Sequence, residues 1–256
     1  MLLVPAGSFL MGTNEPMASV TSDPNLTDTY QQESPQHLVH LDDYFLDVHP
    51  VTNRDFHVFI QATGFEDFAP VTNPELLHPE HPVVGVSWYA ASRFADWMGK
   101  RLPTEAEWEK AVRPPEETTR FPWGDPSVSG KECNFADQSS SLPWRLDTID
   151  DQQAFTSPVG SYPANERGFH DLAGNVWEWC FDDWRTYSAG AVTNPVGPLT
   201  RDRRTVRGGS WSSPPFDLRC SRRDQRIMSA SGDALANVGF RCAASIHQAL
   251  KLISAT

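Results

Sequence analysis

Tryptophan and proline set the tightest limit on this chain, which carries 9 Trp and 21 Pro in 256 residues. A buried indole needs an acceptor for its N–H, and each proline removes a backbone donor and interrupts helices and central strands. A repetitive helical bundle and a long doubly wound sheet are therefore disfavoured, which leaves a compact, loop-rich domain. With 39% apolar residues the chain can build a sizeable core, enough for one large domain or two small ones. No internal repeat, low-complexity run or linker divides it. One domain over 1–256 is predicted, with its core at 4–244 and a C-terminal tail at 245–256.

Acidic residues outnumber basic ones by 33 to 21, a formal net charge of -12. Such a field repels phosphate backbones and anionic lipid surfaces, so neither a nucleic acid nor a membrane is expected as partner. No apolar run is long enough to span a bilayer, and Met1-Leu2-Leu3-Val4 lacks the basic and apolar regions of a leader. The expectation is a cytoplasmic protein, with room for an upstream segment or domain. Cys133, Cys180, Cys220 and Cys242 are scattered with no CxxC pair, which argues against a zinc site or a disulfide scaffold and for reduced thiols.

Local patterns place several elements. VPAGSFLMG (Val4 to Gly12) and HLVHLDDYFLD (His37 to Asp47) alternate as strands do, and the polar stretch between them, Thr13 to Gln36, reads as a surface loop. Thr52 can cap a helix with Asp55 as its capping-box acid, Phe56, Phe59 and Ile60 on one face and Gly64 as its stop. A second helix runs from Ser87 to Gly99, and a third starts at the capping box Thr104-Glu105-Ala106-Glu107 and ends at Pro114-Pro115. From Arg120 to Cys242 the pattern predicts turns and short strands. His78-Pro79-Glu80-His81 reads as a turn, because Pro79 breaks the helix that would put both imidazoles on one face.

Five segments, RLPTEAEWE (Arg101 to Glu109), FPWGD (Phe121 to Asp125), GNVWEW (Gly174 to Trp179), RGGSW (Arg207 to Trp211) and GFRCA (Gly239 to Ala243), resemble the formylglycine-generating enzyme family, the sulfatase-modifying factors. VPAGSFLMG and PVTN (Pro50 to Asn53) are similar to its start, and the resemblance spans Val4 to Ala244. It implies an α+β, C-type-lectin-like fold with little regular secondary structure, braced by calcium. By position it implies one calcium site from the side chains of Asp171 and Glu178 with the carbonyls of Gly174 and Val176. A second would use Asn134, the carbonyl of Phe135, Asp151 and the carbonyl of Gln153. Mixed carboxylate, amide and carbonyl oxygens are what calcium takes. The stretch from Gln138 to Gln152 departs from the family's pattern, and Gln153 replaces an aromatic residue.

Active members of the family oxidise a substrate cysteine to formylglycine with molecular oxygen. They use two cysteines that bind copper(I) a few residues beyond a Gly-Gly-Ser corner. Here Gly208-Gly209-Ser210-Trp211 leads into Ser212-Ser213-Pro214, Ser213 stands at the first cysteine position, and the second is lost in a shortened loop. A hydroxyl does not replace a soft thiolate, so neither copper nor formylglycine chemistry is expected. The resemblance also puts Ala95 and Ala111 where some members carry structural cysteines, so Cys220 and Cys242 are expected as buried free thiols, with a bridge between them left open.

Two functional readings follow from the resemblance. In the first the chain is a binding domain for an unknown protein, peptide or small molecule, as in variable proteins of diversity-generating retroelements. Its ligand face would be the exposed stretch 212–238 with Trp177, Ser210, Trp211, Ser213, Arg219, Arg222, Arg223, Asp224 and Arg226 as contact residues. The arginines flanking the corner would meet an anionic ligand. The bland alternative makes Trp177 core, Ser210 a turn hydroxyl and Arg223 a bridge to a carboxylate. The second reading is an oxidoreductase with different chemistry, which lacks support from any His/carboxylate triad or thiolate pair.

Overall fold

The structure, a computed structural model, describes residues 1–67, 69–114, 119–124, 126–197 and 202–254. In chain order its elements are β1 (Leu2–Val4), β2 (Gly7–Met11), α1 (Thr27–Gln31), β3 (His37–Leu41), β4 (Tyr44–Leu46), α2 (Asn53–Thr63), α3 (Trp88–Trp97) and α4 (Glu105–Val112). There follow β5 (Trp177–Asp183), β6 (Val192–Thr193), β7 (Arg203–Arg207), β8 (Arg223–Ile227), β9 (Val238–Gly239), β10 (Ala243–Ser245) and α5 (Ile246–Ser254). The strands form three small sheets in the orders β1-β4-β10, β2-β3-β6 and β8-β7-β5-β9. Between α4 and β5 the described chain has only turns and isolated bridges, as the proline and glycine pattern predicts.

Both predicted N-terminal strands are interrupted, the first near its start and the second within its length. Pro5, which has no N–H to donate, separates β1 from β2, and the Asp42-Asp43 pair separates β3 from β4. Asp43 accepts the Ala6 N–H at 2.5 Å and so ties one break to the other. Each half then joins a different sheet, β1 and β4 in one and β2 and β3 in the other.

The three predicted helices form where their caps lie. Thr52 and Asp55 complete a capping box on α2, which Gly64 ends in the left-handed region at φ 66°, while Thr104 and Glu107 complete another on α4. Ser87 accepts from the Ala90 N–H to start α3. The stretch 13–36 differs from the expected surface loop. It contains α1 and buries Tyr30 and Glu33, because Glu33 is the carboxylate partner of Arg219 and Ser221. The tail contains an unforeseen helix, α5, whose Leu252 packs against Gly99.

The core is aromatic. Trp88, Trp177, Trp179, Phe94 and Phe240 share one cluster, and Trp108 anchors a second with Tyr44, Leu46 and Phe169. Three buried indoles find acceptors: Trp88 donates to the Cys180 carbonyl, Trp179 to that of Val86 and Trp108 to a Glu178 carboxylate oxygen, each at 2.9 Å. All four cysteines are buried and free, so there is no Cys220–Cys242 bridge, and Ala95 and Ala111 are fully buried.

Candidate functional site: a serine corner and a buried acidic cluster

At the end of β7 the chain turns through Gly208 at φ 99° and Gly209 at φ 74°. A Cβ on Gly208 would stand 3.0 Å from the Trp108 ring, so only glycine serves both the backbone angle and the packing. Ser210 follows, fully buried, with its Oγ 3.1 Å from Ser212 Oγ and 3.2 Å from Ser213 Oγ. Ser213 Oγ accepts from the Ser210 N–H at 3.1 Å, and Asn237 Nδ2 donates to Ser212 Oγ at 2.9 Å. The position of the first family cysteine is thus part of a hydroxyl cluster whose partners, among the described residues, are one another, an amide and the backbone.

An indole caps this cluster. Trp144 donates its N–H to the Ser212 carbonyl at 2.9 Å, yet its side chain remains 53% exposed. Trp211 beside it donates to the Ala236 carbonyl and packs on Phe155 with ring centroids 5.1 Å apart. Trp144 was not foreseen as a site residue. The available signal was its place in the stretch 138–152 that departs from the family's pattern.

No thiol of the described chain is poised for redox or metal chemistry. Burial pushes Cys133, Cys180 and Cys242 well above the ordinary thiol range and Cys220 up to about 12, so all four stay protonated at neutral pH.

The expected ligand face must be corrected. Within 212–238 only Ile227, Ser229, Asp233 and Ala234 are exposed, and Trp177 lies in the core. Arg219 makes a two-pronged pair with Glu33 at 2.6 and 2.7 Å and lies over the Phe216 ring. Arg223 pairs in the same way with Glu105, both bonds at 2.7 Å, between the rings of Trp184 and Tyr187. Arg222 binds Asp217 at 2.6 Å, and Arg226 binds Asp224 at 2.7 Å. These guanidiniums pair with carboxylates of the fold itself. Arg223 as a bridge to a carboxylate, the bland alternative, is what the structure shows.

The residues expected at calcium divide into two groups. Glu178 is already compensated, since Arg241 donates to both of its oxygens at 2.7 Å and Trp108 adds a third bond. Asp171, in the left-handed region at φ 57°, accepts from the Gly160 N–H through one oxygen, and its other oxygen is buried without a partner. In the Asp171, Gly174, Val176 and Glu178 set, Arg241 thus balances Glu178, and the Asp171 oxygen is the buried acceptor left without a partner. Gly174 has a packing role: a Cβ there would lie 2.0 Å from the Asn134 carbonyl oxygen.

The Asn134 and Asp151 set also holds a buried oxygen without a partner. Asn134 Oδ1 is buried with no partner, while its Nδ2 donates to the Phe155 carbonyl at 2.7 Å. Asp151 accepts from the Gln153 and Phe135 N–H groups at 2.8 and 3.1 Å, and no cationic side chain pairs with it among the described residues. Burial raises its carboxyl to about 7, with the neighbouring Asp137 carboxylate adding to the effect. Asp137, which accepts the Asp151 N–H, was missed in the sequence. No three His, Cys, Asp or Glu side chains among the described residues form a metal cluster by themselves. A cation here would therefore rely on the amide and carbonyl oxygens as well.

A scaffold of small sheets and few helices around an aromatic core, with a Gly-Gly-Ser corner at the end of β7, is of the sulfatase-modifying factor class. The chain belongs to that family: residues 1–246 match the sulfatase-modifying factor enzyme 1-like domain. It is similar to serine/threonine-protein kinase pkn1 of Chlamydia caviae, 35% identical over 268 residues that cover 96% of this chain and 38% of the kinase. It is also similar to the formylglycine-generating enzyme of Mus musculus, 32% identical over 95% of this chain and 74% of the enzyme. Among solved structures, PvdO from Pseudomonas aeruginosa superposes with a TM-score of 0.72 at 26% identity, covering 94% of this chain and 92% of its own. Treponema denticola variable protein 1 shares the fold with a TM-score of 0.69 at 20% identity, over 95% and 94% of the two chains. The chain thus spans well under half the length of pkn1.

Proposed function

We propose that this chain is a binding domain that keeps the sulfatase-modifying factor scaffold without formylglycine chemistry. The carrying observation is the corner itself, where Ser210, Ser212 and Ser213 form a hydroxyl cluster under the half-exposed Trp144. Its indole N–H is engaged internally, so the ring is held in one orientation and offers its apolar face. Rigid, partly exposed tryptophans of this kind are typical anchors of protein and peptide contacts. The occurrence of the matching region as a minor part of the longer pkn1 chains supports the same reading, since a binding module can serve within a larger protein.

A calcium ion at Asn134 and Asp151, with the carbonyls of Phe135 and Gln153, completes the proposal. Its role is structural: it would neutralise the half-buried Asp151 beside the buried Asp137 and give Asn134 Oδ1 a partner.

Two measurements test this function. In an oxygen electrode, with added copper and a cysteine-containing peptide, no oxygen uptake above the protein-free rate is expected, and sustained turnover would overturn the reading. A displayed random-peptide library should enrich sequences on the wild-type protein that are lost with Trp144→Ala. Equal enrichment on both proteins would remove the corner as the binding surface.

A further inference from the structure

Helices α2 and α3 enclose a recess of about 310 Å³, lined by Phe59 and Thr63 of α2, by Phe65 just beyond it, and by Arg93, Asp96 and Trp97 of α3. Helical spacing brings these residues together, since 59 and 63 lie one turn apart on α2 and 93, 96 and 97 share one face of α3. Gly64 in the left-handed region turns the chain after α2, and Phe65 packs back on Phe59 with ring centroids 5.2 Å apart. Trp97 packs on Phe59 from α3 at 5.6 Å, so both outer rings rest on Phe59. Phe59 is buried, whereas Thr63, Arg93, Asp96 and Trp97 are exposed. The recess therefore has an apolar floor and a rim open to solvent.

The rim carries two charges that the fold leaves unused. Among the described residues neither the Arg93 nor the Asp96 side chain has an ion-pair or hydrogen-bond partner, although the two lie close on α3. An arginine ahead of an acid is the weaker order for such a pair on a helix. Asp96 also stands in the last turn of α3, where its charge opposes the helix dipole and no basic side chain offsets it. Arg219, Arg223 and Arg241, by contrast, each meet a buried carboxylate.

We propose that this recess binds a free aromatic α-amino acid, with its ring over Phe59 between Phe65 and Trp97, its carboxylate at Arg93 and its ammonium at Asp96. Such a zwitterion satisfies each part of the site. The planar guanidinium suits a carboxylate, and the ammonium supplies the cation that the last turn of α3 lacks. The ligand ring gains offset or edge-on contact with the aromatic walls. A ligand with one charge would leave the other rim group without a partner, and a zwitterion adds no net charge to a chain that already carries -12. The volume lies at the low end of the roughly 300–1,000 Å³ of small-molecule sites, which suits a single amino acid.

Isothermal titration of the full chain with L-phenylalanine tests this, alongside L-phenylalaninamide, 3-phenylpropionate and L-alanine, which lack the carboxylate, the ammonium and the ring in turn. L-phenylalanine should bind with saturable heat, and each analogue about fivefold more weakly or worse. Arg93→Gln should abolish the preference for L-phenylalanine over its amide, and Asp96→Asn the preference over 3-phenylpropionate. Both side chains are exposed and unpartnered, so the variants should melt as the wild type does. Three results would overturn the proposal: no saturable heat with L-phenylalanine, an analogue that binds as tightly, or a variant that keeps the preference it should lose.

Discussion

Asp182 shows how a single buried group can set the response of this protein to pH. It accepts from the Glu105 N–H at the start of α4 at 2.6 Å and from the Gly197 N–H at 3.1 Å, and it is fully buried. Burial, and then the neighbouring Glu105 carboxylate, raise its carboxyl to about 6, against an ordinary value of 3.8. Between those two values the folded protein holds a proton that the unfolded chain has released. Stability from this group is therefore present below about pH 4 and is lost as pH rises toward 6, by about 3 kcal/mol in all. Urea unfolding of wild type and Asp182→Asn at pH 4.5 and 7 should show the variant losing most of that difference. An unchanged pH dependence would mean that Asp182 ionises normally in the folded state.

At the scale of elements, α4 carries the best test of local structure. Its Thr104 cap accepts from the Glu107 N–H at 3.2 Å, and Glu107 returns a bond to the Thr104 N–H at 2.8 Å while pairing with Arg101. Thr104→Ala removes one half of this box and should lower unfolding free energy by about 1 kcal/mol, within the ~0.5–2 kcal/mol range of such caps. A loss under about 0.3 kcal/mol would show that Glu107 and Arg101 hold the turn without the hydroxyl. The start of this helix was legible in the sequence because a cap and its partner lie three residues apart. The same locality made α2 and α3 legible. Arg219 and Arg223 were hard to read because their partners are remote, Glu33 being 186 positions from Arg219 and Glu105 118 from Arg223, whereas Arg222 and Arg226 pair within five positions, with Asp217 and Asp224. A charge run with distant partners looks the same in sequence as a solvated one. The stretch 13–36 was misread as a surface loop for the same reason, since Glu33 is buried by its contact with Arg219. Of the candidate site, the Gly-Gly-Ser corner and its missing cysteines could be read directly, whereas Trp144 and Asp137 lie at or beside the segment without a family pattern.

For the molecule as a whole, the calcium proposal makes a global prediction. A ligand that binds only the folded state stabilises it by about 2.7 kcal/mol at a hundredfold excess over its dissociation constant. Calorimetric melting in calcium should therefore exceed melting in a strong chelator, and Asp151→Asn should remove most of the difference. Identical melting curves with and without chelator would sink the proposal. The absence of disulfides among the described residues leaves long-range cohesion to the aromatic clusters and the buried ion pairs. No helix among the described residues is long and apolar enough to cross a membrane.

The central place of β4 in its sheet has a consequence in time. Its Leu46 pairs with Leu2 on one side and Ala243 on the other, so a strand from the last part of the chain closes a sheet begun by the first. Closing so large a loop must precede the contacts that reward it, and chains dominated by such pairings fold slowly. During synthesis, β4 can pair with β1 early, but its other edge remains open to the wrong partner until β10 has left the ribosome.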